Sequence, residues 1–435
     1  MTSTGESLGT ADAAPRMAGV GPGVEARTRW LFVLPFFLMT PLLALSTMDP
    51  QLAPSAMRTF SIPVLAAELA VILLVMQRTP PGRSLYRQIS LPARILAVLW
   101  ILAMGVSAIG AQYDPSGAQF HFLLKLLHGF FGVALWSQLS AEPHLRRQCL
   151  VAVAAGLGSY AVIAYGFALW NAAQPDFPWS RFGVGVTNIR HVGYLSLGLT
   201  GIAAGLWVTA AKGRDEVLPA TLFFLGCFLL MWSGGRGAFI ALMIHLAVLL
   251  TLASPGRRLS LMWRLLAVLV VATMLAGIYV PNKHFGPLNI FLRFDASTLP
   301  GEEYSSGRTE MWRQTADWIT RQPWFGYGEG QYRYAVPAAR GFSNHPHNLP
   351  LQLLMQWGVV GTAMLTALLV RLGWKALPLL KAPTALTYPC TAIVTGLLAV
   401  SMVDGPFFYA LPVVIFLLAI ATLLAEAQDH RTFRK

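Results

Sequence analysis

The chain has 435 residues, of which 55% are hydrophobic and only 12% are charged. Soluble domains carry about 25% charged residues, and a single aqueous core of this size cannot cover so much apolar surface. The composition therefore excludes a soluble enzyme and a disordered chain, and the continuous apolar runs exclude an outer-membrane barrel, whose strands alternate. Runs of about twenty apolar residues predict an all-α polytopic membrane protein. We attribute the net charge of +13 first to the Lys/Arg bias of cytoplasmic loops and not to nucleic-acid binding.

Twelve apolar segments have the length of membrane spans. They are 30–48, 59–76, 95–111, 119–139, 149–170, 192–210, 218–233, 237–254, 265–281, 350–370, 385–403 and 407–425. Residues 1–29 are rich in Gly, Ala, Ser and Thr and predict a disordered cytoplasmic tail, and 426–435 form a second, short tail. We therefore expect spans one to nine within 30–281, a loop region at 282–349 and spans ten to twelve within 350–425.

The basic residues predict the orientation of these spans. With both termini placed in the cytoplasm, the inner tails and loops hold 20 of the 32 Lys and Arg residues, and the short outer loops hold four. Lys125 lies inside a span, and the long loop 282–349 holds the remaining seven, which do not count against the rule because long loops are exempt from it. The pattern predicts two cytoplasmic termini and one large periplasmic loop between spans nine and ten.

The predicted outer loop does not resemble a linker. From Gly307 to Thr320 the sequence GRTEMWRQTADWIT sets Met311, Ala316 and Ile319 among charged residues, which predicts an amphipathic helix. The next segment, QPWFGYGEGQY, combines turn-forming glycines with aromatic residues that are typical of a membrane interface.

Three arginines from distant segments are predicted to lie on the outer side. Arg236 follows the paired glycines of WSGGRGA, Arg190 lies in NIRHVGY at the start of the sixth span, and Arg308 ends SSGR. Guanidinium groups around an outer cavity suit a phosphate or diphosphate, because they stay charged and bind oxyanions in a bidentate manner. For Arg236 alone, the alternative is an interface arginine whose side chain reaches the lipid headgroups. For the three arginines together, the alternative is a generally basic rim that attracts lipid headgroups.

The sequence HPHN precedes the tenth span. Asn348 is a suitable N-cap for a helix that has Pro350 in its first turn. His347 then lies at a helix N-terminus, where an anion is stabilised, and its imidazole accepts a proton near neutral pH. Two alternatives stay open. The segment is a capping motif with incidental histidines, or His345 and His347 together bind a metal. No further His or carboxylate pattern in the sequence supports a metal site.

Charged residues inside the membrane suggest a different class of function. Glu68 and Lys125 lie at similar depths in spans two and four and are expected to pair, and His121 and His128 flank Lys125 at helical spacing. Such residues motivate the hypothesis of a proton-coupled transporter, whereas a structural ion pair explains them equally well. The sequence contains no nucleotide-binding motif, no Asp-x-Asp or Glu-x-Asp pair for a divalent metal and no cysteine spacing for a disulfide framework.

Four segments together resemble a known family. They are GGRGA after a short span, SSGRTEMW, QPWFGYGEGQY and HPHNLPLQLLMQWGVVG, and they resemble the O-antigen ligase/polymerase superfamily of bacterial inner membranes over about residues 180–410. The resemblance implies a GT-C-like glycosyltransferase architecture and the transfer of a polysaccharide from undecaprenyl diphosphate to a sugar hydroxyl of lipid A–core at the periplasmic face. The reaction would be inverting and metal-independent. An O-antigen polymerase or a protein O-oligosaccharyltransferase is the alternative.

The resemblance also implies roles for single residues. Arg236 and Arg308 match the family's essential arginines, and His347 matches its essential histidine. The chemistry of the implied reaction then makes the arginines a clamp for the donor diphosphate and His347 the general base. We expect the substrate-binding residues to be Arg190, His191, Tyr194, His345, Asn348 and Asp404. The expected partners are the lipid-diphosphate-linked glycan, lipid A–core and membrane lipids, and neither a cofactor nor a metal nor nucleic acid is expected.

Overall fold

The computed structural model describes residues 22–48, 60–78, 89–174, 177, 179, 182–282, 285–292, 308–340 and 343–432. All regular secondary structure in these residues is helical, as the composition predicts. The outer parts of the two predicted tails lie outside the described residues. The first helix begins at Pro22, inside the first predicted tail.

Fifteen α-helices follow one another along the described residues. They are α1 (Pro22–Leu45), α2 (Ile62–Arg78), α3 (Leu91–Ile109), α4 (Pro115–Ala141), α5 (Pro143–Trp170), α6 (Val192–Thr209), α7 (Arg214–Ser233), α8 (Arg236–Leu252), α9 (Pro255–Ala276), α10 (Pro287–Leu292), α11 (Arg308–Arg321), α12 (Tyr332–Ala335), α13 (Leu349–Lys381), α14 (Thr387–Ser401) and α15 (Ala410–Thr432).

Eight of these helices are long and apolar enough to cross a membrane, namely α3 to α7, α9, α13 and α15. The apolar parts of α1, α8 and α14 are shorter, and α2 has 17 residues. Each of the twelve predicted spans coincides with one of these helices. The chain is thus a multi-pass helical membrane protein, and the number of twelve crossings stays a prediction.

Helix α6 lies at the centre of the bundle. Every residue from Val192 to Val208 is buried, because α5, α7, α8 and α14 all pack against this helix. Its glycines permit close approach: a Cβ added at Gly205 would lie 2.2 Å from the backbone nitrogen of Pro389 in α14. Helices in a membrane associate through such small-residue contacts. Helix α6 is therefore the scaffold against which its neighbours are positioned.

Helix α13 is interrupted at Gly358, inside the tenth predicted span. The backbone there has φ +63° and ψ −169°, a conformation that is essentially restricted to glycine. A Cβ at this position would lie 2.3 Å from the carbonyl carbon of Trp324. The sequence predicts a span from 350 to 370 but does not predict this interruption within it.

The segment 323–328 satisfies the peptide groups that the interruption leaves without helical partners. Its N–H groups donate to the carbonyl oxygens of Met355 and Gln356 at 2.8 and 2.9 Å. Its carbonyl oxygens accept from the N–H groups of Val359 and Val360 at 2.7 and 3.1 Å. Because an unpaired peptide group inside a membrane protein costs several kcal/mol, this exchange fastens the loop to the helix.

The segment from 308 to 340 has a small core of its own. The predicted amphipathic helix is confirmed as α11, in which Met311 and Thr315 are buried while Ala316 is exposed. The hydroxyl groups of Thr315 and Tyr332 lie 3.2 Å apart, and Met355 of α13 belongs to the same apolar cluster. The segment is thus packed against the beginning of α13.

We predict that Gly358→Ala destabilises the protein strongly. The methyl group meets the Trp324 carbonyl and the backbone leaves its glycine-only region, so the free energy of unfolding should fall by about 3 kcal/mol. The measurement is the apparent melting temperature in detergent. Gly373→Ala, in the same helix with no atom within 4 Å of the added Cβ, is the control. Equal melting temperatures for the two variants would refute the role of the interruption.

Candidate active site

Polar side chains gather at one end of the bundle, which we call the site end. Here α6, α8, α13 and α15 begin, and α7 and α14 end. Contacts across this end fix it: a Cβ at Gly193 would lie 2.6 Å from Ala238, and one at Gly237 would lie 3.1 Å from Val403. The site end therefore collects residues from segments that are distant in the sequence.

His347 occupies a strained position immediately before α13. Its φ of +54° lies in the left-handed region, which is uncommon for residues other than glycine. The indole of Trp312 holds the preceding residue by donating to the carbonyl oxygen of Pro346 at 2.7 Å. The His347 N–H donates to Nδ1 of His345 at 3.3 Å. These bonds fix the backbone from which the imidazole projects.

The His347 imidazole contacts two side chains. Its Nδ1 lies 2.6 Å from Oδ1 of Asp404, and its Nε2 lies 3.1 Å from the Ser343 hydroxyl oxygen. An ionised carboxylate only accepts hydrogen bonds, so Nδ1–H donates to Asp404. The tautomer that results leaves Nε2 free to accept a proton. The His347 side chain is 18% exposed.

Asp404 lies in the turn between α14 and α15 and contacts the side chains of His347 and Arg308. A guanidinium nitrogen of Arg308 lies 3.7 Å from Oδ2, and another donates to the carbonyl oxygen of Val403. Burial alone would raise the pKa of the Asp404 carboxyl. The hydrogen bond from His347 and the electrostatic interactions with His347 and Arg308 outweigh burial and hold that pKa well below its ordinary value.

Asn348 joins the beginning of α13 to the end of α14. Its side-chain oxygen accepts from the N–H of Leu351 at 3.1 Å, which confirms the predicted N-cap, and its amide nitrogen donates to the carbonyl oxygen of Met402 at 3.0 Å. Both ends of the amide therefore bind the protein itself. Asn348 holds the segment with His347 beside the turn with Asp404.

His345 is a buried neighbour of His347. It is 2% exposed, its ring centroid lies 4.4 Å from that of His347, and a Cβ at Gly405 would lie 2.1 Å from its Cε1. Burial, and then the electrostatic interaction with His347, lower the pKa of His345 well below its ordinary value. His345 is thus a neutral acceptor for the His347 N–H. Among the described residues, no three His, Cys, Asp or Glu side chains are arranged to hold a metal ion.

A polar aromatic layer lies beside this cluster. His191 is buried, its Nδ1 lies 3.0 Å from the Thr187 hydroxyl, and its Nε2 lies 3.4 Å from the Tyr409 hydroxyl. The rings of His191 and Tyr194 are stacked with centroids 5.2 Å apart, and the ring of Tyr409 lies 6.2 Å from that of His345. The layer connects the first turn of α6 to His345 and His347.

The backbone of Arg190 and that of Arg236 lie at the site end. The predicted turn at Gly234 and Gly235 is confirmed, since Gly234 ends α7 with φ +68° and Gly235 precedes α8. A Cβ at Gly235 would lie 3.9 Å from the carbonyl oxygen of Arg190. Together with the approach of Gly237 to Val403, this contact brings the backbone of both arginines to the same end of the bundle as Asp404.

The charged residues of α2 and α4 pair differently from the prediction. Both carboxylate oxygens of Glu68 lie 2.8 to 2.9 Å from Nδ1 of His128. Lys125 instead lies 3.5 Å from the carbonyl oxygen of Phe407. The expected Glu68–Lys125 contact is therefore replaced by a pair with His128, because the rotation of α4 about its axis cannot be read from the depth of its residues.

The structure adds residues that the sequence motifs do not single out. Ser343 contacts Nε2 of His347, and Thr187 and Tyr409 contact His191. Asp404, expected to bind substrate, is a direct partner of His347 and Arg308. The only sequence signal for Ser343 is its position two residues before HPHN, and the other contacts join segments more than 50 residues apart or polar residues that are common in loops.

Part of the chain matches a known family. Residues 221–366 match the family model of the O-antigen ligases. The resemblance to that superfamily is thus confirmed over about a third of the chain, from α7 into α13. The matched part contains Arg236, Arg308 and His347, whereas Arg190 and Asp404 lie outside it. No curated protein matches the chain.

We predict that the ionised carboxylate of Asp404 stabilises the site. Its pKa is lowered in the folded protein, so its contribution is complete above the ordinary value of 3.8 and is lost as the pH falls through the folded value. Asp404→Asn should cost about 2 kcal/mol at pH 7 and less at pH 3. Melting curves of both proteins at the two pH values measure this difference.

Asp317→Asn is the control for Asp404→Asn. The Asp317 side chain is 56% exposed and pairs with Arg313 on the surface of α11, so its loss should cost no more than about 1 kcal/mol. A difference between wild type and Asp404→Asn that is the same at pH 7 and pH 3 would contradict an ionised carboxylate at the site.

Proposed function

We propose that the protein is a glycan ligase that transfers a polysaccharide from undecaprenyl diphosphate to a sugar hydroxyl of lipid A–core at the periplasmic face of a bacterial inner membrane. The observation that carries the proposal is the cluster of His347, Asp404 and Arg308, two of whose members lie in the part that matches the O-antigen ligases. A hydroxyl that attacks a carbon with a phosphate leaving group needs a base and a positive charge. A histidine oriented by a carboxylate can act as the base, and a neighbouring guanidinium group can stabilise the leaving group.

His347 acts as the general base. Asp404 holds Nδ1–H, so Nε2 removes the proton from the acceptor hydroxyl as its oxygen attacks the anomeric carbon of the donor. The Ser343 hydroxyl donates to the carbonyl oxygen of His345 at 2.7 Å, which leaves the lone pair of Nε2 for the proton of the acceptor hydroxyl. Once Nε2 is protonated, the Ser343 oxygen accepts a hydrogen bond from it.

The arginines stabilise the leaving group. As the new glycosidic bond forms, the bond between the anomeric carbon and the diphosphate oxygen breaks and the lipid diphosphate departs with the bonding electrons. Arg308 is held by Asp404 and by the carbonyl oxygen of Val403, and Arg236 and Arg190 lie on neighbouring backbone. Fixed guanidinium groups stabilise the developing charge without reorganisation. Direct displacement inverts the anomeric configuration, and no step requires a metal.

Alternative members of the superfamily differ in the acceptor. An O-antigen polymerase uses a second lipid-linked glycan, and a protein O-oligosaccharyltransferase uses a protein hydroxyl, with the same base and the same donor. The transporter hypothesis rests on Glu68 and Lys125. The close contact of Glu68 with His128 favours a structural pair, so we propose a transferase.

The direct test combines the purified protein with a lipid-diphosphate-linked glycan and rough lipopolysaccharide in the presence of EDTA. The proposal predicts a ladder of glycan joined to the core. Ladder formation on the lipid-linked glycan alone would identify a polymerase. Flux across proteoliposomes that requires Glu68 and does not require His347 would identify a transporter.

We predict that His347→Ala lowers the rate of transfer about 10²–10⁴-fold, since the acceptor hydroxyl loses its base, while the donor still binds. Single-turnover transfer and binding of the lipid-linked donor are the two measurements. Lost donor binding together with an intact rate of transfer would contradict the assignment of His347 as the base.

We predict that Arg308→Ala and Arg236→Ala each lower transfer about 10²–10³-fold, the usual effect of removing one fixed group that stabilises a developing anion. Arg313→Ala is the matched control, because this arginine projects from α11 with a 63% exposed side chain and pairs only with surface carboxylates. A rate of transfer equal to that of the wild type in the Arg308 and Arg236 variants would show that these arginines do not stabilise the diphosphate.

A further inference from the structure

An open pocket lies outside the His347 cluster, on the segment that follows α11. Its volume is about 400 Å³, and it is lined by Tyr113, Arg333, Tyr334 and Arg340. The two tyrosines are 43% and 38% exposed, so the pocket opens to the surroundings. We call it the arginine–tyrosine pocket. Its volume lies in the range of pockets that bind small molecules.

The walls of this pocket are fixed to one another. Gln331 is fully buried, and its side-chain oxygen accepts from the N–H groups of Tyr113 and Asp114 at 3.0 and 2.9 Å. Its amide nitrogen donates to the carbonyl oxygen of Asp114 at 2.7 Å. The loop between α3 and α4 is thereby locked to the start of α12. Tyr113 and the Arg333–Tyr334 pair therefore keep their relative positions without a ligand.

The pocket combines positive charge with aromatic faces. The guanidinium group of Arg333 lies 5.3 Å from the centre of the Tyr334 ring. Within the part of the chain that the structure describes, neither Arg333 nor Arg340 forms an ion pair, whereas Arg313 of α11 pairs with Glu310 and Asp317. Two unneutralised guanidinium groups suit a phosphate oxyanion. An exposed tyrosine ring offers an apolar face and a polar hydroxyl to a sugar.

The pocket is close to the candidate base along the chain. Arg340 precedes Ser343 by three residues, so their Cα atoms are at most about 11 Å apart. The N–H of Ser343 donates to the carbonyl oxygen of Ala339 at 3.0 Å, and the Ser343 hydroxyl contacts His347. Only a short stretch of chain thus separates the pocket wall at Arg340 from the contact of Ser343 with His347.

We infer that the arginine–tyrosine pocket binds a phosphorylated sugar of the acceptor glycan and so orients the acceptor hydroxyl toward His347. The inference rests on the proposed function. The arginines at the site end take the diphosphate of the donor, which is next to the reacting carbon. A second, separate oxyanion site with a sugar-sized aromatic wall therefore suits the acceptor.

Binding tests the pocket without transfer. The probes are glucose 6-phosphate, glucose and inorganic phosphate, each titrated against the detergent-purified full chain by saturation-transfer NMR. We expect glucose 6-phosphate to bind at least about tenfold more tightly than either fragment. The Arg333→Gln/Arg340→Gln double variant should lose this preference, and Arg313→Gln should keep it. Equal binding of phosphate and glucose 6-phosphate, or equal binding by wild type and double variant, would overturn the inference.

Kinetics then assign the sugar to the acceptor. The double variant should raise the KM for the acceptor about tenfold, with unchanged kcat and unchanged KM for the donor. Enzymatic removal of phosphate from the acceptor should raise the wild-type KM to that of the variant and leave the variant unaffected. A rise in the KM for the donor alone would overturn the acceptor assignment. If the protein lacks transfer activity, the binding titration still decides whether the pocket recognises a phosphorylated sugar.

Discussion

The candidate site depends on the contacts that the carboxylate of Asp404 makes with His347 and Arg308. Its two oxygens bind His347, which precedes α13, and Arg308, which begins α11, while its own backbone lies in the turn that ends α14. A buried carboxylate is costly unless cations and hydrogen bonds compensate it, so the carboxylate, the imidazole and the guanidinium require one another. The same compensation sets the imidazole tautomer that leaves Nε2 as a proton acceptor. Stability and chemistry at the site end thus have one physical origin.

A second constraint comes from the membrane. Peptide groups there need partners within the protein, and the interruption of α13 at Gly358 meets this requirement by binding the segment 323–328. That exchange anchors the whole region between α11 and α13 to the bundle. His347 and three of the four lining residues of the arginine–tyrosine pocket, Arg333, Tyr334 and Arg340, lie within this region. The interruption therefore serves the site although it lies about three helical turns along the chain from His347.

The sequence predicts features that depend on nearby residues. Apolar runs of the right length locate the long helices, the polar atoms of Asn348 predict the N-cap, and the paired glycines at 234 and 235 predict the turn before α8. Contacts between segments that are distant in the sequence cannot be predicted from nearby residues. The interruption at Gly358 has partners about 30 residues away, and Glu68 meets His128 instead of Lys125 because of the rotation of a helix. Spacing alone does not place the carboxylate of Asp404 against His347 either.

We propose that His347, oriented by Asp404, removes the proton from the acceptor hydroxyl. The pH dependence of the single-turnover rate of transfer tests this role of His347, because it follows the charge state of the base in the chemical step. We expect the wild-type rate to rise with pH through one ionisation to a plateau, and the rate of His347→Gln to be low and independent of pH over the same range. The same ionisation with the same plateau in His347→Gln would show that His347 is not the base.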